Sequence, residues 1–207
     1  SSMEGVHLLA DHGAGLLYLT SLPYKLYPSV QWLLASQAFA LSFTAIPLCL
    51  IAIKSGLKKQ LVWLVAALWW LQPVVFNVNL FDFHPEVLGM PFLAISYLLN
   101  RSNKPFLWML CLFFLLGCRD GLVLVVFGIG LEQAIRKKWM WSFASVGMAL
   151  SWLAMLNKFL YPSLTGSFAG PKAAAGLFSY LGNTFDEVIV NFFFRPDLLI
   201  ENVDWLG

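Results

Sequence analysis

Long apolar runs broken by short charged clusters make up most of this chain. Crossing the hydrocarbon core of a bilayer takes about 20 apolar residues in a helix. The runs over 30–53, 61–80 and 139–161 meet that length and are predicted to span a membrane. Tryptophans fall toward their ends (Trp32, Trp63, Trp69, Trp70, Trp139, Trp141), as interfacial aromatics do. Pro47 and Pro73 lie within runs, which membrane helices tolerate. Three shorter runs, over 85–100, 105–118 and 121–135, are predicted to be half-helices, or full helices with polar ends sunk into the membrane.

The loops predict an orientation. "KSGLKK" (Lys54, Lys58, Lys59), "NRSNK" (Arg101, Lys104) and "RKK" (Arg136 to Lys138) hold most of the basic residues. The positive-inside rule assigns them to the cytoplasm. Counting crossings puts "LADHGAG", "FDFHPE", "CRDG" and the segment after Tyr161 on the other face. The acids agree: only Glu132 lies near a basic loop, whereas Asp11, Asp82, Glu86 and Asp120 fall on the opposite side. Residues 162–207 read as an external loop followed by an interfacial helix, with Phe185, Val188, Ile189, Phe192 and Phe193 at helical spacing.

Composition fits a lipid solvent. Hydrophobic residues make up 59% of the 207, charged residues only 12%, and the mean hydropathy is +0.74; a soluble domain carries about 25% charged residues. The fold class expected is all-α, a polytopic transmembrane bundle with short or broken helices, forming a single membrane domain. A net charge of +2 and the lack of a basic groove with interleaved aromatics exclude a nucleic-acid partner. Cys49, Cys111 and Cys118 have no ligand or disulfide spacing and read as small buried hydrophobes. The chain begins without a methionine or a signal-peptide pattern and stops at "DWLG", so a fragment of a longer membrane protein is expected.

The candidate chemistry lies in "NVNLFDFHPEVLGM" (77–90), which places Asp82, His84 and Glu86 within five residues. An extended approach is expected, followed by a helix starting near Pro85 with His84 or Asp82 as its cap. Extended backbone projects Asp82, His84 and Glu86 to one side. The "CRDG" turn adds Arg119 and Asp120 between two short runs. Interrupted segments with polar tips at similar depth line cavities, because backbone in lipid must be satisfied by protein or water. Charges there are costly and are therefore candidates for function. One external cavity holding Asp82, His84, Glu86, Arg119 and Asp120 is expected, with Asp11 and His12 as further members. As a metal site, the oxygens of Asp82 and Glu86 with the imidazole of His84 would suit Mn²⁺ better than Mg²⁺. The bland alternative makes Asp82 a cap, His84 a loop histidine and Arg119–Asp120 a local ion pair.

"NLFDFHPEVLGMPFLAISY" followed by "CRDG" resembles the multi-pass membrane proteins of domain of unknown function 2079. "ADHGAGLLYLTSLPYKLYPS" and "YLGNTFDEVIVNFFFRPDLL" are similar to two further stretches of that family. The chain departs from it at His12-Gly13-Ala14-Gly15, where the family has a His-Phe-Ser-Pro-like run, and at Gly121, where a second acid is usual. The family's helical layout is similar to the C-type glycosyltransferase superfamily. The resemblance implies an integral protein of a bacterial plasma membrane, with membrane lipid and a polyprenyl-phosphate-linked sugar donor as partners. It implies transfer at the non-cytoplasmic face: Asp82 or Asp11 as base, Arg119 on the donor phosphate, His84, Glu86, Asp120 and His12 around the substrate. A transporter, or a scaffold in which the cluster only supports the fold, remains the alternative.

Overall fold

The computed structural model describes residue 9 and residues 13–165, 180–182, 185–195 and 197–198. Every element among them is helical: α1 (Leu17–Leu26), α2 (Gln31–Lys54), α3 (Val62–Trp70), α4 (Pro73–Leu80), α5 (Gly89–Arg101), α6 (Pro105–Cys118), α7 (Leu122–Ile135), α8 (Trp139–Met155), α9 (Tyr161–Thr165) and α10 (Phe185–Phe194). The chain forms two compact units, one of residues 13–153 and one of 1–12 with 154–207.

Among the described residues, two helices are long and apolar enough to cross a membrane, Gln31–Lys54 and Trp139–Leu164, or three if the bent pair α3 and α4 counts as one span. That pair corrects one expectation. The run over 61–80 is not a single helix but bends by 51° between Trp70 and Pro73. Pro73 has no N–H to continue α3, and its ring forces Gln72 into extended backbone (φ −61°, ψ 127°) before α4 restarts with the proline in its first turn. Helices α5, α6 and α7, of 13, 14 and 14 residues, are each roughly 20 Å long, short of a bilayer core as expected.

The core of the 13–153 unit lies among α6, α7 and α8. Trp108, Leu112, Leu115 and Leu116 pack on Val123, Val126, Trp141 and Ala149. The rings of Trp108 and Trp141 meet edge to face at 4.8 Å, a preferred aromatic geometry. Gly130 lets α7 approach α8: a Cβ there would lie 2.6 Å from Val146 Cγ2 and 3.3 Å from the Ser142 carbonyl oxygen. Small residues at such crossings are how apolar helices pack without a hydrophobic drive between them. Hydroxyl and amide groups add to this contact. Ser145 Oγ donates to the Val126 carbonyl at 2.7 Å. Asn100 Nδ2 donates to Gln133 Oε1 at 3.1 Å, joining α5 to α7.

Helices α2, α5 and α7 end in the same way. At the end of α2, Gly56 N donates to Ile53 O and Leu57 N to Ala52 O. At the end of α5, Asn103 N donates to Asn100 O and Lys104 N to Leu99 O. At the end of α7, Lys137 N donates to Ala134 O and Lys138 N to Gln133 O. These are Schellman motifs, with the left-handed residue being Gly56 (φ 97°), Asn103 (φ 54°) or Lys137 (φ 59°). The three basic loops are therefore tight caps, and side chains bring them together. Lys54 Nζ donates to Ser102 Oγ, Arg101 to Ser55 Oγ, and Lys138 to Asn100 Oδ1. Arg136 pairs with Glu132 at 2.7 Å. Charge counting placed these loops on one face, and they do share one end of the helices.

The second unit contributes α9 and α10. Residues 156–160 form a π turn holding Asn157 and Lys158, ahead of α9. Within 162–207, Phe185–Phe194 is helical. Asn191 Nδ2 donates to the Leu181 carbonyl, and Arg195 holds Asp197 at 2.7 Å. Of the external loop expected in 162–207, residues 166–179 lie outside the described residues.

Candidate functional site

The opposite end of α5 carries the polar turns. The chain leaves α4 in extended backbone at Phe81 (φ −89°, ψ 179°) and is still extended at His84 (φ −120°, ψ 112°). Pro85 then begins a 3₁₀ turn, Pro85–Leu88, which runs into α5. This matches the expected extended approach and helical start. The expected cap does not form: neither the 3₁₀ turn nor α5 has a side-chain cap at its start. His84 instead turns its ring back on its own extended segment. Its Nδ1 lies 2.6 Å from the Asp82 carbonyl oxygen. A carbonyl only accepts, so Nδ1 is the donor in this contact.

A residue not singled out by its sequence holds this turn in place. Gln37, two turns into α2, is wholly buried. Its Nε2 donates to the Val78 carbonyl at 2.8 Å, and its Oε1 accepts from the His84 backbone N–H at 2.9 Å. One amide thus satisfies both the end of α4 and the start of the turn. Buried polar groups require such partners. The only signal for it in the sequence is a lone glutamine in "LLASQAFAL".

The "CRDG" turn meets the same place. Arg119 donates to Glu86 Oε1 at 2.6 Å, with the two side chains 34% and 32% exposed. Arg119 thus takes Glu86, from the distant turn, as its ion-pair partner. The Asp120 carboxylate accepts from the Gly121 N–H at 2.8 Å. Near the start of the unit, Leu16 N donates to the Gly117 carbonyl at 2.8 Å, and Leu16, Leu17, Phe83 and Leu122 pack around Ala40, Leu88 and Cys118. Gly89 permits the turn to close on α6, since a Cβ there would meet Leu115 Cδ1 at 2.8 Å.

Glu86 lies in the turn, outside the candidate spans. Burial pushes its carboxyl up, but the hydrogen bond from Arg119, a backbone N–H and the charges of Arg119 and His84 outweigh this and hold it below its ordinary value. It is therefore ionised at neutral pH. Its Oε2 is shielded from solvent and has no hydrogen-bond partner.

An open cleft of about 290 Å³ lies beside the turn, lined by Asn77, Val78, Phe81, His84, Glu86 and Val87. Of the five residues expected to share one cavity, His84 and Glu86 line this cleft. Arg119 reaches it through Glu86. Asp82 is exposed and does not line it, and Asp120 sits on the neighbouring turn. Asp11 and His12 lie outside the described residues. The expected metal set is corrected. Among the described residues, no three His, Cys, Asp or Glu side chains are grouped to hold a metal ion. Asp82 is exposed and stays off the cleft that His84 and Glu86 line, so these three side chains are not grouped.

No curated protein and no solved structure matches the chain. A family model does, and it agrees with the resemblance carried by the "FDFHPE" and "CRDG" stretches: the model described as "Predicted membrane protein (DUF2079)" matches residues 1–207, and the chain belongs to that family.

Proposed function

We propose that this protein is a glycosyltransferase that takes a sugar from a polyprenyl-phosphate donor at the non-cytoplasmic face of the membrane. The observation that carries this reading is the Glu86–Arg119 pair at the edge of the His84-lined cleft. Arg119 uses one N–H on one oxygen of Glu86. A guanidinium has five such donors, so it has capacity for a donor phosphate beside Glu86. Asp82, exposed two residues before His84, is the carboxylate within reach of an acceptor arriving from solvent, and takes the proton of its hydroxyl. His84, which lines the cleft beside Glu86, orients that hydroxyl.

The test uses the full-length protein with Asp82→Asn and, separately, Arg119→Ala, each checked for insertion and folding. Transfer from a polyprenyl-phosphate-linked sugar should fall at least a hundredfold with Asp82→Asn, the scale of a lost general base. Normal transfer in both variants defeats the proposal. Solute flux in proteoliposomes without product formation would replace it with a permease.

A further inference from the structure

The basic end of the unit contains charges that the fold does not use. At the corner between α2 and α5, two dipeptides face each other in the same arrangement, Lys54–Ser55 and Arg101–Ser102. Their bonds are exchanged. Lys54 Nζ donates to Ser102 Oγ, and Arg101 Nη1 donates to Ser55 Oγ at 2.9 Å. Each serine hydroxyl in turn donates to its own helix, Ser55 to Ile51 O and Ser102 to Leu98 O. The result is two exposed cations held side by side on two fixed hydroxyls. No carboxylate pairs with either cation among the described residues; the acid of this end, Glu132, is taken by Arg136.

Two structural explanations account for less than this. Cations at helix C-termini offset exposed carbonyls, but here the Schellman bonds already satisfy carbonyls at the ends of α2 and α5. A topology signal needs only positive charge in the loop, not a pair of cations clamped across two helices. An anion with several acceptor oxygens would engage both cations at once.

We propose that Lys54 and Arg101 form a binding site for the phosphate headgroup of an anionic phospholipid. Phosphate oxygens accept from the ammonium and from the unused guanidinium N–H groups, and the serines keep both cations spaced for one headgroup. The adjoining face of α2 exposes Ile46 and Leu50, which would lie along the acyl chains. The site stands at the other end of α5 from Glu86 and Arg119 and is independent of the transferase reading.

The experiment measures lipid binding to purified full-length protein by native mass spectrometry, titrating phosphatidylglycerol, phosphatidylcholine and inorganic phosphate. Phosphatidylglycerol should bind, with the other two binding much more weakly. Each headgroup-facing cation contributes about fivefold, so Lys54→Gln with Arg101→Gln should weaken binding about 30-fold. The single variants, each about fivefold weaker, decide the matter if the double variant does not fold. Lys58→Gln with Lys59→Gln removes the same charge from the same end and should change binding less than twofold. Equal weakening by the Lys58/Lys59 pair would reduce the site to diffuse attraction. Equal binding of inorganic phosphate would make it a free-anion site. Either result, or unchanged affinity in the Lys54 and Arg101 variants, overturns the proposal.

Discussion

Gln37 accepts the backbone N–H of His84 at 2.9 Å across 47 residues of chain, and the same amide donates to Val78. The turn that carries the candidate chemistry is thus hung from the interior of α2. Gln37→Leu keeps the volume but strands one donor and one acceptor. The expected cost is about 2–4 kcal/mol, from two unsatisfied backbone groups. Thermal unfolding in detergent measures it. Loss of transfer should follow even where the protein stays folded, because the turn loses its anchor.

The Glu86–Arg119 pair joins the two polar turns, and it is partly solvated. Its direct worth to stability is therefore about 0.5–1 kcal/mol after screening. Arg119→Glu alone should destabilise by more, through repulsion, and Glu86→Arg combined with Arg119→Glu should restore most of that loss. The pH dependence has a definite sign. The folded Glu86 carboxyl sits below its unfolded value, so its contribution is complete above the unfolded value and disappears as pH falls through the folded one. An acid titration of unfolding should lose that slope in Arg119→Ala. An unchanged acid limb in that variant would disconnect the two turns.

Gly130 marks a close approach of α7 to α8. The atom that a new Cβ would meet belongs to the β-branched Val146, which has little room to turn, and the Ser142 carbonyl lies behind it. Gly130→Ala should destabilise the unit by about 1–3 kcal/mol despite alanine's better helix propensity. Gly128, on the same helix, has open space around its Cβ position, so Gly128→Ala should be neutral or slightly stabilising. Comparing the two unfolding midpoints separates packing from propensity.

Lys137 holds the left-handed position of its cap at φ 59°, which an L side chain adopts at a cost of about 1–2 kcal/mol. Lys137→Gly should stabilise the protein by roughly 1 kcal/mol, less the entropy that glycine loses. Gly56→Ala, at φ 97° in the equivalent cap, should destabilise it by a similar amount. Unfolding midpoints that move the other way would show that the caps do not govern these loop ends.

Some of this was readable in the sequence, for physical reasons. Long apolar runs announce their own solvent, so α2 and the helix from Trp139 were visible, and charge asymmetry grouped Lys54, Arg101 and Arg136 at one end. Pro85 indicated where the helix after the turn begins. Pro73 was visible too, but membrane helices often pass through prolines, and nothing local distinguished a kink from the 51° break. Two of the three Schellman caps lack glycine, so their mark was absent. Gln37 could not be read because a single amide in an apolar run has no periodicity; its meaning comes from Val78 and His84 arriving beside it. The three residues of the metal reading are not grouped among the described residues, because spacing alone did not show that Asp82 would stay off the cleft that His84 and Glu86 line.

The account rests on the polar turns and the basic caps facing opposite sides of a membrane. Single cysteines at Asp82 and at Lys104, in full-length protein with Cys49, Cys111 and Cys118 replaced, test this in intact cells with a membrane-impermeant maleimide. Asp82→Cys should label from outside without permeabilisation, and Lys104→Cys only after it. Labelling of both positions from the same side would contradict the account.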